Sequence, residues 1–365
     1  MRKRLLAIIA TAAMVVAMMP SMVFAASNVA KIGSTEYDTL QNALNAAVNG
    51  DTIVLQENVT LSTSFYLNKD DINVTLDLNG KTLAVTTNYN VVCNNSTLTI
   101  KNGTIDISGV DITGTSNKGI FAVGGATSGH ATTGHMVLNN VSVVGENFGT
   151  GDNGGVFMLY QGQSTLTVNG GSMTLKNNTS NGSVFYGTGS TCGTKVIIND
   201  ATLSFTNVVR GSVHNDITLD NTKVTITGGD NGFNGSKLQI INGSDVTISD
   251  GSGRGITLEK CPVTIEDSTV KISNMGEGSI RFKADLPLTI KGESNVTYDN
   301  VVVDSGTDAS KLIDTSELVI PTTPTAPATP EKSPNTGDNS VVPFAIAGIA
   351  LAAMAAVVAT RRREN

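Results

Sequence analysis

The chain has 365 residues and a formal net charge of −7, from 24 Lys and Arg against 31 Asp and Glu. This acidic balance argues against nucleic acids and anionic membrane surfaces as partners. The 38 Gly residues, the lack of Trp and the many Thr, Val, Ile and Asn residues are typical of a chain built from short repeated strands and tight turns.

The first 25 residues have the pattern of a secretory signal peptide. A basic cluster at residues 2–4 precedes an apolar run, and Val23 and Ala25 supply the small residues that a cleavage site after Ala25 requires. The sequence therefore predicts an exported protein whose mature chain begins at Ala26. An uncleaved membrane anchor is the alternative interpretation.

The segment "STEYDTLQNALNAAVNGDTIVLQENVTL" predicts a short helix followed by strands. The apolar residues that share one helical face are Leu40, Ala43, Leu44 and Ala47. Asn49-Gly50 would end this helix, which is predicted over about residues 37–49. A helix at this place would cover the open end of a β structure and shield its first strands from edge pairing.

A repeat of two short alternating strands, broken by a turn pair, then fills most of the chain. "STLTIKNGTIDIS" at Ser96 recurs as "STLTVNGGSMTLK" at Ser164 and as "TKVIINDATLSFT" at Thr194, and further copies follow. The turn pairs are Asn-Gly, Gly-Gly, Asn-Asp and similar dipeptides. The equivalent apolar residues of successive copies are Ile100, Leu138, Val168, Ile198, Leu219, Ile240, Ile265 and Ile290.

A third apolar element, such as "KGIFAV", "GGVFML" or "GSVFYG", follows within many copies. Three strands per repeat favour a three-sided coil in which like strands stack in parallel, although antiparallel hairpins in a sandwich are the alternative. Each coil buries only about five or six aliphatic side chains, too few to offset its own ordering entropy, so several coils must stack.

Together with "DINVTLDLNGKTL", this opening and its repeats resemble right-handed parallel β-helix proteins of the pectin-lyase-like class found on Gram-positive surfaces. The resemblance extends over roughly residues 30–303. It implies an all-β fold, a right-handed three-sided parallel β-helix over residues 26–318, with the helix as its N-terminal cap.

After this domain the composition changes to "PTTPTAPATPEK". A proline at every third residue favours an extended polyproline II spacer over residues 319–332. An ordinary disordered linker would serve the same purpose.

The C-terminal segment, residues 333–365, combines a pentapeptide, an uncharged apolar span at 341–359 and a cluster of three arginines. The span is just long enough to cross a bilayer, and the arginines would stay on the cytoplasmic side. The pentapeptide consists of Ser333, Pro334, Asn335, Thr336 and Gly337. The three parts in this order resemble the Leu-Pro-x-Thr-Gly cell-wall sorting signal of Gram-positive surface proteins.

That resemblance implies a sortase as a transient partner. Its cysteine would attack the Thr336 carbonyl, release Gly337 and everything after it, and pass the acyl group to a peptidoglycan amine. Ser333 departs from the usual leucine, which leaves the sortase class open. The mature segment from Ala26 to Thr336 would carry 24 − 6 = 18 Lys and Arg against 31 − 2 = 29 Asp and Glu, a net charge of about −11.

The acidic residues do not form the groups that polysaccharide cleavage requires. Glycoside hydrolysis uses paired carboxylates, and uronate lyases use an acidic cluster that holds calcium. Asp70 and Asp71 are the adjacent aspartate pair, and their surroundings, "NKDDIN", predict a turn. The sequence therefore predicts no catalytic residue and no cofactor.

The three histidines, His130, His135 and His214, are too dispersed to predict a metal site. The three cysteines, Cys93, Cys192 and Cys261, show neither metal-ligand spacing nor an obvious disulfide set. They are interpreted as small buried apolar residues.

One candidate ligand site comes from the third strands. If Ile120 and its equivalents point inward, the residue after each points outward and these residues stack in a column. The column is Phe121, Phe157, Phe185, Arg210, Asn234, Thr257 and Arg281. Aromatic rings beside Arg and Asn are typical of a glycan or peptide groove. The opposite phase buries the phenylalanines as a core ladder, and the usual burial of large apolar residues favours that phase.

The sequence therefore favours a secreted protein, covalently attached to the cell wall, that acts as a noncatalytic adhesin or as a module binding a glycan or a host matrix protein. A surface polysaccharide lyase or glycoside hydrolase is the alternative enzyme function. A structural stalk without a ligand is the third hypothesis.

Overall fold

The computed structural model describes residues 28–319, except 116, 126–131, 151–152, 161–162 and 189–191. The predicted signal peptide, linker, sorting signal and apolar span lie outside these ranges, apart from residue 319. Among the helices of the described ranges, none has the length and apolar character needed to cross a membrane.

The described chain is nearly all β, and its strands form three stacks. The first stack contains β3 Thr52–Leu55, β6 Asn73–Asp77, β9 Thr97–Asp106, β11 His135–Glu146, β13 Thr165–Asn169, β16 Lys195–Asn199, β19 Asp216–Asp220, β22 Lys237–Ile241, β25 Val263–Glu266, β28 Leu288–Lys291 and β31 Ile313–Asp314. The second stack shares β9 and β11, which run through both, and adds β4 Val59–Leu61, β7 Thr82–Val85, β14 Ser172–Lys176, β17 Thr202–Thr206, β20 Lys223–Thr227, β23 Asp245–Ser249, β26 Thr269–Ser273 and β29 Asn295–Tyr298.

The third stack forms a separate sheet of ten strands. It contains β5 Tyr66–Leu67, β8 Asn90–Val92, β10 Phe121–Val123, β12 Phe157–Leu159, β15 Ser183–Gly187, β18 Arg210–Val213, β21 Asn231–Asn234, β24 Arg254–Leu258, β27 Gly278–Phe282 and β30 Val301–Val303. At the N-terminal end lie β1 Ala30–Ile32, β2 Thr35–Tyr37 and the helix α1 Leu40–Ala46. A 3-10 turn, Ala309–Lys311, precedes β31.

Neighbouring strands within the stacks are parallel, and the chain returns to the same stack after each circuit. β13, for example, pairs in parallel with β11 and β16, and β15 pairs in parallel with β12 and β18. Within the described ranges, β1 pairs antiparallel with β2 and with β3. The predicted parallel stacking is confirmed, and the pattern is consistent with a parallel β-helix.

The tight turns adopt left-handed backbone conformations where the sequence predicts turn pairs. Asn102 has φ 60°, Gly170 has φ 67° and Asp200 has φ 53°, values that glycine and Asn or Asp tolerate best. Beside these turns, the Asn169 amide donates to Asn139 Oδ1 and the Asn199 amide donates to Asn169 Oδ1, each over 2.8 Å. This asparagine ladder ties successive coils together.

The helix is shorter than predicted, although its predicted apolar face is correct: Leu40, Ala43, Leu44 and Ala47 are all buried in the core. It begins after Thr39, whose hydroxyl accepts from the Asn42 backbone N–H. It ends before Asn49-Gly50 because Ala47 already leaves the helical region, with ψ 140°. The Lys69 ammonium then binds the freed carbonyl oxygen of Asn45 at 2.6 Å.

The helix also covers the first edge of the third stack. The Gln41 amide donates to the Tyr66 carbonyl oxygen at 3.2 Å and accepts from the Tyr66 N–H at 2.8 Å. These two backbone groups would otherwise form an unpaired strand edge, which invites pairing with another chain.

Replacing Gln41 by Ala should therefore lower the free energy of unfolding by about 1 kcal/mol, because two partly exposed hydrogen bonds are lost. Urea unfolding, followed by circular dichroism, measures the change. Gln163→Ala, at an exposed glutamine, is the matched control, and equal midpoints for the two variants would contradict the capping role of Gln41.

The phenylalanines of the predicted ligand column lie inside the structure. Phe121, Phe157 and Phe185 retain at most 1% exposure, and their rings stack at centroid distances of 5.3 and 6.0 Å. Phe65 and Phe205 extend the row, at 6.5 and 6.2 Å. The outward placement of these three residues is wrong, and the core ladder is confirmed, because burying such large apolar rings removes them from water.

The interpretation of the cysteines is wrong for two of the three. Cys192 and Cys261 form a disulfide with their Cα atoms 6.8 Å apart, although 69 residues separate them. Cys93 is free and buried, as the sequence predicts. Spacing could not reveal the pair, because the two residues belong to different repeats.

Candidate functional site

The outer surface of the third stack changes its chemistry along the stack. In its first part the outward residues form a packed apolar cluster that includes Val91, Ala122, Met158, Tyr186 and Val213. From β21 to β27 the same column is polar: Asn234 pairs with Thr257, and Thr257 pairs with Arg281. These three residues stack in register, as the sequence predicts.

The apolar part of the column is covered by the connections that precede β10 and β12. The Tyr160 hydroxyl donates to the Asn117 carbonyl oxygen at 2.5 Å, and the Tyr186 hydroxyl contacts Asn153 Oδ1 at 3.0 Å. Burial raises the pKa of both phenols above their usual range, so they stay protonated and act as hydrogen-bond donors. In the polar part, Asn234 and Arg281 are half-buried and Thr257 is buried.

Arg210 lies on the same surface but not at the predicted position in the column. It pairs with Ser183 and Asn231, whereas Phe185 pairs with Ser212. Ser212 is completely buried and its hydroxyl lies 3.2 Å from Ser236 Oγ. The alignment of Arg210 with Phe185 was two residues off, because the small polar residue Ser212 holds the interior position that pairs with Phe185 and Phe233.

A repeated dipeptide fixes the true register. Glycine follows Arg210, Asn231 and Arg254 at equivalent positions of three successive coils. A Cβ atom on Gly211 would lie 2.8 Å from Ile226 Cδ1, and one on Gly255 would lie 2.4 Å from Ile272 Cγ2. Only glycine fits at this corner of the core. The residue before each of these glycines is the first residue of its strand, β18, β21 or β24.

We refer to Arg210, Asn234, Arg254, Thr257 and Arg281 as the arginine face. Arg254 is the member that the sequence analysis missed. Its signal was present, because "RGS" at Arg210 and "RGI" at Arg254 share the Arg-Gly dipeptide.

The carboxylates near the arginine face neutralise it only in part. Glu277 Oε2 contacts Arg254 Nη2 and lies 3.1 Å from Arg281 Nη1, so one carboxylate serves two guanidinium groups. Asp304 lies 3.0 Å from Arg281 Nε. Arg210 has no ion pair within the described part of the chain, which leaves its charge available to an anionic or polar ligand.

The arginine face also collects buried polar atoms that lack hydrogen-bond partners. Among the described residues these atoms are Arg210 Nε, Asn234 Oδ1, Arg254 Nε and Thr257 Oγ1. Thr257 retains only 1% exposure. Buried polar groups are normally paired because leaving one unpaired costs about 1–3 kcal/mol. These four atoms within one patch are free to form hydrogen bonds with water or with a ligand.

An aromatic pair borders Arg210. The rings of Tyr186 and His214 meet edge to face, with centroids 6.4 Å apart. Burial, followed by the charge of Lys260, lowers the pKa of His214 below its ordinary value. His214 is therefore neutral at neutral pH, and the positive charge beside it comes from Arg210 and the neighbouring lysines.

The other residues considered as catalytic or metal-binding candidates lie outside the arginine face. Asp71 has φ 52° and its Oδ1 accepts from the Asn95 amide at 2.5 Å, as expected for the predicted turn. His135 is in β11 of the first stack, where Nδ1 contacts Thr165 Oγ1 at 2.8 Å, and His130 lies outside the described residues. No group of three His, Cys, Asp or Glu that could hold a metal occurs in the described ranges.

The pentapeptide at 333–337 and the cleavage site at Ala25 lie outside the described residues. A comparison with protein-family models and with curated proteins found no match to this chain.

Proposed function

We propose that this protein is an exported, noncatalytic binding module that a sortase attaches to the Gram-positive cell wall through Thr336. The signal-peptide pattern, the sorting-signal pattern and the apolar span of the precursor support this proposal. The Cys192–Cys261 disulfide supports export independently, because disulfides persist mainly in oxidising compartments outside the cytoplasm.

In this proposal the folded domain is a right-handed, three-sided parallel β-helix of the pectin-lyase-like class. The three parallel stacks support it, and crossover connections between parallel strands are almost always right-handed. The proline-rich segment at 319–332 follows as a spacer. At ~3.1 Å per residue its twelve-residue proline-rich run would hold the domain ~37 Å from the attachment point.

The proposed ligand site is the arginine face, and the single observation that carries the proposal is its set of four buried, unpartnered polar atoms. Guanidinium, amide and hydroxyl groups together suit a ligand rich in hydroxyl and carboxylate oxygens, such as an acidic glycan. A peptide ligand is less favoured. Each strand from β18 to β27 is already paired on both sides, which leaves no edge for an added strand.

The surface also lacks an apolar anchor for a peptide side chain. The exposed large apolar residues of the described chain are Val48, Tyr66 and Val319, none of which belongs to β18, β21, β24 or β27. Hot spots of protein–protein interfaces usually rest on such anchors. A matrix protein could therefore bind here chiefly through its attached acidic glycans.

The test is binding of the mature chain to arrays of glycans and matrix proteins, followed by Arg210→Gln. Loss of one charge-assisted hydrogen bond should weaken binding about tenfold or more. Lys223→Gln, which removes one exposed charge from the second stack, is the matched control and should bind like the unaltered protein.

Three outcomes separate the hypotheses. Equal binding by both variants would show that the ligand binds outside the arginine face. If the protein binds nothing on any array, the structural stalk without a ligand is the hypothesis that remains. Release of unsaturated products from uronates, or of reducing ends from neutral glycans, would instead establish the polysaccharide lyase or hydrolase.

A further inference from the structure

The corner between the third and first stacks contains connections of very unequal length. The connection after β15 spans residues 188–194, and the one after β24 spans 259–262. Between them, β18 and β21 are each followed by only two residues, 214–215 and 235–236.

The Cys192–Cys261 disulfide joins the two longer connections past the two short turns. β15 and β24 are separated in the sheet by β18 and β21, which corresponds to three strand spacings, or about 14 Å. The Cα atoms of the two cysteines are nevertheless only 6.8 Å apart. Cys192 is therefore displaced along the stack, and its Sγ lies 3.3 Å from the carbonyl oxygen of Gly235, in the second of the short turns.

The same corner borders the arginine face. Gly235 directly follows Asn234, and His214 Cδ2 lies 3.0 Å from the position that a Cβ atom on Gly235 would occupy. On the other side of the bridge, Lys260 directly precedes Cys261. Its charge, like that of Arg210, acts on His214. The disulfide thus contacts the turn after β21, the strand of Asn234, and that turn packs against His214 in the turn after β18, the strand of Arg210.

We propose that the Cys192–Cys261 disulfide is a strap that fixes this edge of the arginine face, so that opening the disulfide loosens the turns at 214–215 and 235–236. The dependence of ligand affinity on the strap rests on the function proposed above. The loosening of the turns is independent of that proposed function. Both turns contact the bridged connection: the hydroxyl of Thr194, two residues after Cys192, donates to Asn215 Oδ1 at 2.9 Å, and the bridge lies against the Gly235 carbonyl.

The strap opens by ordinary thiol–disulfide exchange. A dithiol reductant attacks one sulfur, forms a mixed disulfide, and then closes to its own cyclic disulfide, so that two electrons and two protons pass to Cys192 and Cys261. Both cysteines retain slight exposure, at 6% and 7%. In the reverse direction, an exported disulfide oxidant accepts the two electrons when the strap forms.

The experiment is hydrogen exchange of the mature chain, comparing the oxidised protein with Cys192→Ser/Cys261→Ser. Amides at 210–215 and 231–236 should exchange about tenfold faster in the double variant, whereas β6 and β7, at the far end of the stacks, should be unchanged. Cys93→Ala controls for loss of a cysteine. Treating the unaltered protein with dithiothreitol gives the same comparison without any substitution, in case the double variant fails to fold.

Unchanged exchange at both turns, with the strap removed or reduced, would overturn the proposal. Binding of a hyaluronan oligosaccharide, an acidic glycan chosen as probe, is measured on the same samples. About tenfold weaker binding without the strap would support the coupling. If exchange is faster without the strap but the oxidised protein does not bind hyaluronan, the acidic-glycan form of the proposed function is contradicted. The strap proposal is supported by the same result.

Discussion

Replacing Thr336 by Ala should abolish covalent attachment of this protein to the cell wall. In the proposed reaction the sortase cysteine attacks the Thr336 carbonyl, and the enzyme groove must recognise the residues around it. A site built for particular side chains rejects an analogue that lacks one of their groups. The expected result is a fall of about a hundredfold in the fraction that muramidase releases from washed walls, measured by immunoblotting. The precursor should accumulate in the membrane fraction, held by the apolar span at 341–359.

Asn335→Ala supplies the matched control, because Asn335 stands at the variable position of the motif. It should leave attachment nearly unchanged. Wall attachment of the Thr336→Ala protein at the level of this control would contradict the anchoring proposal. A second variant, Ser333→Leu, restores the common form of the motif, and its attachment in strains that carry single sortases would show which sortase class reads serine at this position.

The parts of the fold that depend on strictly local patterns were predictable from the sequence. Alternating strands, turn pairs at Asn102 and Gly170, and the buried face of α1 all follow from the spacing of a few neighbouring residues. Parallel stacking followed from repetition, because equivalent residues such as Val168 and Ile198 pair in register in successive coils.

The features that the sequence did not reveal depend on contacts between coils. The register of β18 is set by the absence of space for a Cβ atom on Gly211, which becomes visible only when Ile226 is in place. The disulfide joins two connections from different repeats. The arginine face was predicted in part, as Arg210, Asn234, Thr257 and Arg281, but its convergence on Glu277 required the true register.

The Phe157→Ala substitution should produce the largest loss of stability of any change considered. Phe157 lies in the middle of the core ladder, stacked between Phe121 and Phe185, and none of its surface is exposed. Removing a buried phenylalanine leaves a cavity and typically costs about 3–5 kcal/mol. Urea unfolding of the mature chain measures this loss. Tyr66→Ala, at an aromatic side chain that is 45% exposed, is the control and should cost well under half as much.

The Phe157→Ala substitution should also change how the protein unfolds, because each coil of a stacked repeat contacts only its neighbouring coils. A cavity at Phe157 weakens the junction between the coils before β12 and those after it, and the disulfide holds together only coils on the later side. We expect the coils next to α1 to unfold at a lower urea concentration than the rest, giving a smaller apparent m-value or two transitions. A single transition with an unaltered m-value would show that the stacks unfold as one unit despite the cavity. Coupling between coils would then extend well beyond nearest neighbours.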